Sequence, residues 1–235
     1  MRHDVCNLLR KNPYPGRGMI LGCGEDGLRA IVVYFIMGRS LNSRNRVFEK
    51  TEGGIRTSAH DPALMTDPSL VIYHPVRTFG GRAIVTNGDQ TDTIYEFLSR
   101  GNDFRSALLS REFEPDAPNY TPRISGIVEL DGSYSISILK TAEGEPQCCL
   151  RAFYEYSKPV PGLGHFISTY IGDGDPLPSF EGEPIPVNIA VDGGLAGFAT
   201  AIWDALDDGN KVSLYARQTI IATGKSTDLI INKNI

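Results

Sequence analysis

Residues 30–37, Ala-Ile-Val-Val-Tyr-Phe-Ile-Met, are the longest unbroken apolar run in the chain and constrain its fold more than any other stretch. β-branched and aromatic side chains in a row, with no polar interruption, predict a strand covered on both faces. Two apolar layers must therefore flank it. At its end the chain turns through Gly38 and presents Arg39, Arg44 and Arg46 among short amide and hydroxyl side chains. A guanidinium is always charged and offers a planar fork of donors matched to phosphate or carboxylate. Several of them delivered by one rigid strand read as an anion site. Spacing alone also allows a solvated basic turn.

Turn signals recur on either side of this run. Residues 19–21, a Gly-rich turn over 22–27 and residues 28–37 predict a hairpin. The turn lacks the lysine of a phosphate loop and leads into a strand, so it is read as a turn. Residues 47–50 predict a short strand and the polar 51–67 a loop excursion. Residues 70–76 and 82–86 predict a second hairpin about Gly80-Gly81. Residues 93–100 place apolar side chains at 94, 97 and 98, a helical spacing with Thr91 or Asp92 as N-cap. A further helical turn is expected over 104–109.

Pro115, Pro118 and Pro122 exclude regular structure over 112–122. Residues 124–130, 134–140 and 147–156 predict strands, the first two joined by Asp131-Gly132. A strand over 165–171, a Gly/Pro loop over 172–186 and a short apolar stretch over 187–191 follow. A helix over 195–206, a closing strand or two over 211–223 and a polar tail complete the chain. About ten strands, mostly in adjacent hairpins, with two or three helices predict an α+β domain of antiparallel sheets with helices packed outside. Strict strand–helix alternation, the mark of a Rossmann fold, is missing. No repeat or long linker divides residues 1–235, so one domain is expected.

A formal net charge of −5 argues against binding a nucleic-acid polymer or a membrane surface, both of which need a basic face. A local positive pocket in an acidic protein suits a small anionic metabolite better. The four cysteines, Cys6, Cys23, Cys148 and Cys149, form no CxxC pair. Neither a zinc site nor a disulfide framework is expected. The first residues carry no apolar signal core, and the apolar run is too short to span a bilayer. A soluble cytoplasmic protein is the expectation.

For nucleophilic catalysis there is no Gly-x-Ser-x-Gly elbow, and His3, His60, His74 and His165 offer no pairing. His74, between Tyr73 and Pro75, reads as structural. An N-terminal nucleophile would need Cys, Ser or Thr at the chain start, where Met1-Arg2 stands. No HExxH or carboxylate–histidine cluster points to a metal. Two polar stretches remain. Residues 86–92, Thr-Asn-Gly-Asp-Gln-Thr-Asp, lie where a strand gives way to a helix, and read as an anion-favouring helix start or as a capped turn. Residues 114–123, Glu-Pro-Asp-Ala-Pro-Asn-Tyr-Thr-Pro-Arg, show a carboxylate, an amide, a phenol and a guanidinium on a backbone stiffened by proline. Holding such a loop in one shape costs little entropy, as a site requires.

In combination, Gly38-Arg39-Ser40 with Arg44, the 86–92 stretch, and Asn119-Tyr120-Thr121-Pro122-Arg123-Ile124 resemble the archaeal-type IMP cyclohydrolase family. The matching blocks run from about Tyr14 to Gly126. Beyond them the chain fits only in its strand-rich character. The resemblance implies a four-layer αββα sandwich similar to N-terminal-nucleophile hydrolases, without the nucleophile. It also implies the closure of 5-formamidoimidazole-4-carboxamide ribonucleotide to inosine monophosphate with loss of water, in purine biosynthesis. The substrate's carboxamide nitrogen attacks its own formyl carbon, so neither a metal nor another cofactor is expected. On the matching motifs, Arg39 and Arg44 are expected to hold the phosphate or polarise the formyl oxygen, and Arg46 to bind substrate beside them. Glu114 is the expected base, and Tyr73 or Tyr120 the proton donor. Asn87, Asn119 and Arg123 are expected to orient base or ribose, and Gln90, Asp92 and Thr121 to bind substrate. Two other readings stay open: a nucleotide-binding module without turnover, and an amide hydrolase of the same fold. The small nucleotide is the expected partner, and self-association is left open.

Overall fold

The computed structural model describes residues 1–68, 70–191 and 193–234. Strand β1 (Arg17–Cys23) and β2 (Arg29–Met37) form the hairpin expected from the apolar run. Along β2 the side chains alternate between two cores. Ile31, Val33, Phe35 and Met37 face one; Ala30, Val32, Tyr34 and Ile36 face the other. A strand buried on both faces needs no polar alternation, which is why the run is unbroken.

Between the two hairpins lie a short helix α2 (Leu41–Arg44) and the pair β3 (Arg46–Thr51) and β4 (Gly54–Ala59). Next come β5 (Val76–Phe79), β6 (Arg82–Thr86), helices α3 (Gln90–Ser99) and α4 (Phe104–Leu109), and β7 (Arg123–Val128). The chain continues through β8 (Tyr134–Ala142), β9 (Glu145–Tyr156), β10 (Leu163–Ser168), β11 (Ile185–Asn188), helix α5 (Gly194–Ala205), β12 (Lys211–Ile220) and β13 (Ser226–Asn232). Helix α1 (Val5–Lys11) precedes them all.

The strands form two antiparallel sheets, ordered β11-β10-β1-β2-β12-β13 and β3-β4-β5-β6-β7-β8-β9. One core lies between them, joining Met19, Tyr34 and Ile36 to Phe48, Ile124 and Ile138. A second core packs α1 and α5, through Leu9, Phe198 and Ile202, on the outer face of the first sheet. A third packs α3 and α4, through Ile94, Leu98 and Leu108, on the second sheet. Among the described residues no helix is long and apolar enough to cross a membrane.

The described residues hold thirteen strands and five α-helices, more than the expected ten and two or three. Helix α1 forms because Asp4 caps it, accepting from the Cys6 and Asn7 N–H groups while Val5 and Leu9 are buried. Strand β4 lies in the stretch expected to be a loop. It is carried by its ladder to β3 and by inward-facing Ile55 and Thr57. The strand expected over 70–76 starts only at Val76. Pro75 has no N–H to give a ladder, and the segment before it is held by Thr57 instead, whose hydroxyl donates to the Val71 carbonyl and accepts from the Tyr73 N–H. Strand β13, in the tail expected to be polar, is recruited as an edge partner of β12.

At the end of the sandwich remote from the arginine turn, His165 is buried. The Tyr134 hydroxyl meets His165 Nδ1 at 2.7 Å, and the Tyr156 ring stacks on the imidazole at 3.8 Å. Burial lowers the imidazole pKa from its ordinary 6.5 to about 4. A folded-state pKa below the unfolded one means that the stability it contributes is complete above pH 6.5 and is lost as pH falls toward 4. His165→Gln keeps an acceptor for Tyr134 but cannot protonate. Its urea midpoint should therefore fall less than that of the wild type between pH 6.5 and 4; parallel loss in the two proteins would show that His165 does not titrate in this way.

Candidate active site

Strand parity sets the site. Arg17 opens β1 on the same face as Met19 and Leu21, and pairs with Ile36 of β2. Its guanidinium is therefore delivered between the sheets, beside the turn that follows Met37. Arg46 opens β3 on the face of buried Phe48 and comes to the same place. Gly38 makes the turn between them. A Cβ there would lie 2.6–2.8 Å from Ser43 atoms, so only glycine lets α2 fold back this closely. Ser40 caps α2 in a reciprocal pair with Ser43. The result is a cleft of about 290 Å³ whose walls include Arg17, Arg39, Arg46, Glu114, Asn119, Thr121 and Tyr170.

Glu114 enters from the proline-rich loop before β7 and is only 2% exposed. Arg17 Nη2 donates to both of its carboxylate oxygens, at 3.1 and 2.9 Å. Burial pushes the Glu114 carboxyl up; the Arg17 and Arg123 guanidiniums pull it down without fully offsetting burial. On Arg17 burial opposes the charge, but Glu114 outweighs it and holds the guanidinium protonated. The loop closes on itself: Glu114 N donates to Thr121 O at 2.9 Å, and the Asp116 carboxylate accepts from Thr121 N and from the Thr121 hydroxyl. Thr121 has given its one hydroxyl proton to Asp116, so Tyr170, 2.6 Å away, donates to Thr121. Burial pushes the Tyr170 phenol up to about 12.

Behind Glu114 lies a second polar layer. Asn87 Nδ2 donates to Glu114 Oε1 at 3.3 Å and to Pro122 O at 2.8 Å. Asn87 Oδ1 accepts from Gln90 Nε2 and Ile124 N. Gln90 Oε1 accepts from Arg123 Nη1 at 2.6 Å, and Asp89 pairs with both Arg123 and Arg111. Asp89 is thus spent on guanidiniums, and although it flanks the start of α3 its side chain caps no helix N–H. Arg123 lies on the outer face of β7, opposite Ile124, which puts it under α3 rather than in the cleft.

Of the residues expected from the motifs, Arg39, Arg46, Glu114, Asn119 and Thr121 share the cleft. Arg39 also lies 5.1 Å over the Tyr14 ring and pairs with Asp173 at 2.6 Å. Arg44 turns away: its Nε donates to Gly38 O and its Nη2 to Asn210 Oδ1. Tyr73 is buried below the floor, its hydroxyl 2.9 Å from that of Tyr34, and both phenols act electrostatically on Arg17 and Arg46. Tyr120, at φ 43°, packs edge-on against Phe113. Asp92 pairs with Arg77 on the surface at 2.7 Å. Asn87, Gln90 and Arg123 stand in the layer behind Glu114.

Reading the sequence missed Arg17, Tyr14 and Tyr170. For Arg17 the signal was present: it shares the period-2 face of Met19 and Leu21, and a charge on a buried face calls for a partner.

The family model described as "IMP cyclohydrolase-like protein" matches residues 14–224, well past the blocks recognised in the first half. The IMP cyclohydrolase of Methanopyrus kandleri is 32% identical over 203 residues, which cover 77% of this chain and 96% of that protein. The IMP cyclohydrolase of Natronomonas pharaonis is 34% identical over 151 residues, 61% of this chain and 73% of that protein. That of Halobacterium salinarum strain R1 is 33% identical over 131 residues, 54% of this chain and 63% of that protein. With a family match over most of its length and a relative covered nearly end to end, the chain belongs to the IMP cyclohydrolase-like protein family.

Proposed function

We propose that this chain is an IMP cyclohydrolase, closing 5-formamidoimidazole-4-carboxamide ribonucleotide to inosine monophosphate with loss of water, in purine biosynthesis. The observation that carries the reading is a buried carboxylate, Glu114, set at one cleft with the guanidiniums of Arg17, Arg39 and Arg46. That arrangement offers a base where a proton must be taken and positive charge where a phosphate must be held. The stacking of helices, two antiparallel sheets and helices supports the four-layer sandwich of N-terminal-nucleophile hydrolases as its fold.

In the first step the carboxamide nitrogen bonds to the formyl carbon. Glu114 takes one amide proton and passes it to the formyl oxygen. In the second, Glu114 takes the proton of the nitrogen that carried the formyl group and gives it to that hydroxyl, which leaves as water. The carboxylate ends as it began. The reacting atoms belong to one molecule, so the main task of the enzyme is to hold formyl group and amide within bonding distance. Arg39 and Arg46 bind the phosphate, and Asn119 and Thr121 line the base and ribose. Arg17 holds the carboxylate of Glu114 toward the amide.

Incubation with the formylated ribonucleotide should give inosine monophosphate by its ultraviolet spectrum. Glu114→Gln should lower kcat by about 10²–10⁴. Full activity in that variant would remove Glu114 as the base. Arg39→Ala should raise KM about tenfold while Arg44→Ala changes it less than about twofold, since only Arg39 reaches the cleft. The reverse order in steady-state kinetics would transfer the phosphate to Arg44. Arg17→Met strands a buried carboxylate and should cost about 3–5 kcal/mol in urea denaturation. Arg17→Met/Glu114→Gln should recover most of that loss, and an additive double variant would show that the two residues are not coupled.

A further inference from the structure

Asn87 and Gln90 look like ligand-reading amides in the sequence, but their hydrogen bonds are already taken. Both Asn87 Nδ2 protons are given, to Glu114 Oε1 and Pro122 O, and Oδ1 receives Ile124 N and Gln90 Nε2. An amide has two protons and two lone pairs, so nothing remains for a substrate. Its orientation is fixed as well, because the Ile124 N–H needs an acceptor. Both Gln90 Nε2 protons go to Asn87 Oδ1 and Ile124 O, and its carbonyl takes Arg123. The Arg123 side chain is 6% exposed and is held from outside by Asp89. Gly88 closes the layer: a Cβ there would lie 2.6 Å from Arg123 Nη1, 2.7 Å from Gln90 Oε1 and 3.5 Å from Glu114 Oε1.

We propose that Asn87, Gln90 and Arg123 are positioning residues that never touch substrate. Asp89 holds Arg123, Arg123 orients Gln90, and Gln90 fixes the Asn87 amide that donates to Glu114 Oε1. The chain of contacts adds a second donor to Oε1 beside Arg17 and so holds the carboxylate in one rotamer and in its ionised form. This inference rests on the proposed role of Glu114 as base. The charged and titratable groups acting on Glu114 are Arg17 from β1, Arg123 from β7, Asp116 of its own loop and Tyr170 after β10. Of these, only Arg123 is held in the layer through Gln90.

Two readouts test it on the whole protein. Carbon-13 carboxyl NMR of glutamate-labelled protein, with Glu114 assigned by Glu114→Gln, follows the carboxyl directly. Steady-state kinetics over pH follow its use. Gln90→Leu removes the middle link, and Asp89→Asn loosens Arg123 from the surface without altering the buried amides. In both variants the Glu114 carboxyl should titrate at higher pH than in the wild type, because donors to its ionised form are weakened. The acid limb of kcat should move the same way, with kcat down about tenfold in Gln90→Leu and KM within about twofold. Arg123→Lys, which keeps the charge, should restore the limb toward wild type, and Arg123→Met should not.

A rise in KM with the carboxyl titration unmoved would make these residues substrate contacts and overturn the proposal. Loss of thermal stability alone, with titration and pH profile unchanged in the folded variants, would also overturn it. If Gln90→Leu does not fold, Asp89→Asn decides by the same criteria. If the wild type gives no inosine monophosphate, the proposed function falls, while the NMR titration still decides whether the layer holds Glu114.

Discussion

A buried ion pair between Arg17 and Glu114 is the interaction on which this end of the molecule depends. Arg17 belongs to the first sheet and Glu114 to the loop that leads into the second, so their contact at 2.9 Å also ties one sheet to the other. Removing two charges from water costs several kcal/mol per ion, and the mutual attraction repays this only with good geometry and further hydrogen bonds. The second layer behind Glu114, through Asn87, supplies such a bond. Arg17 Nε and Arg123 Nε, both buried, have no partner among the described residues.

The rest of the fold holds that pair fixed. Strand β2 is covered on both faces, and its hairpin to β1 places Arg17 opposite Ile36 with no slack in register. A one-residue slip would send Arg17 to the helix-covered face and Met19 with it. The same parity argument fixes Arg46 through Phe48, and puts Arg123 on the other side of β7 from Ile124. Three arginines at three strand starts therefore reach two different layers, two of them lining the cleft and one behind it. The division of labour follows from pleat geometry before any ligand is considered.

What the sequence revealed follows the same logic. Signals that depend on local chemistry read true: the apolar run, the Asp131-Gly132 turn between β7 and β8, and the helix over 104–109. Elements that exist only because a neighbour completes them did not. Strand β13 is recruited by β12, β4 by β3, and the strand expected at 70 waits until Pro75 has passed. Within the candidate site, the Gly38 turn and the loop around Glu114 were legible as polar clusters on stiff backbone. Arg44, Tyr120 and Asp92 carried the same sequence signal yet turn elsewhere, because a side chain's direction depends on strand parity and on partners distant in sequence, such as Asn210 for Arg44. Motif spacing cannot distinguish an amide that reads a ligand from one that has spent its bonds inside.

That distinction bears on how a cyclisation of this kind can be catalysed without a protein nucleophile. The ring closes between two groups of one molecule, so the chemistry requires position and proton traffic rather than a covalent intermediate. A base that serves this purpose must be rigid, since a carboxylate free to rotate would meet the amide only part of the time. It must also be poised, neither so stabilised by guanidiniums that it cannot accept a proton nor so buried that it is always protonated. At Glu114 burial pushes the carboxyl up while Arg17 and Arg123 pull it down without fully offsetting burial. The opposition of these effects, rather than any one of them, is what would suit the carboxylate to the role of base we propose for it, with the second arginine acting from the layer behind the cleft.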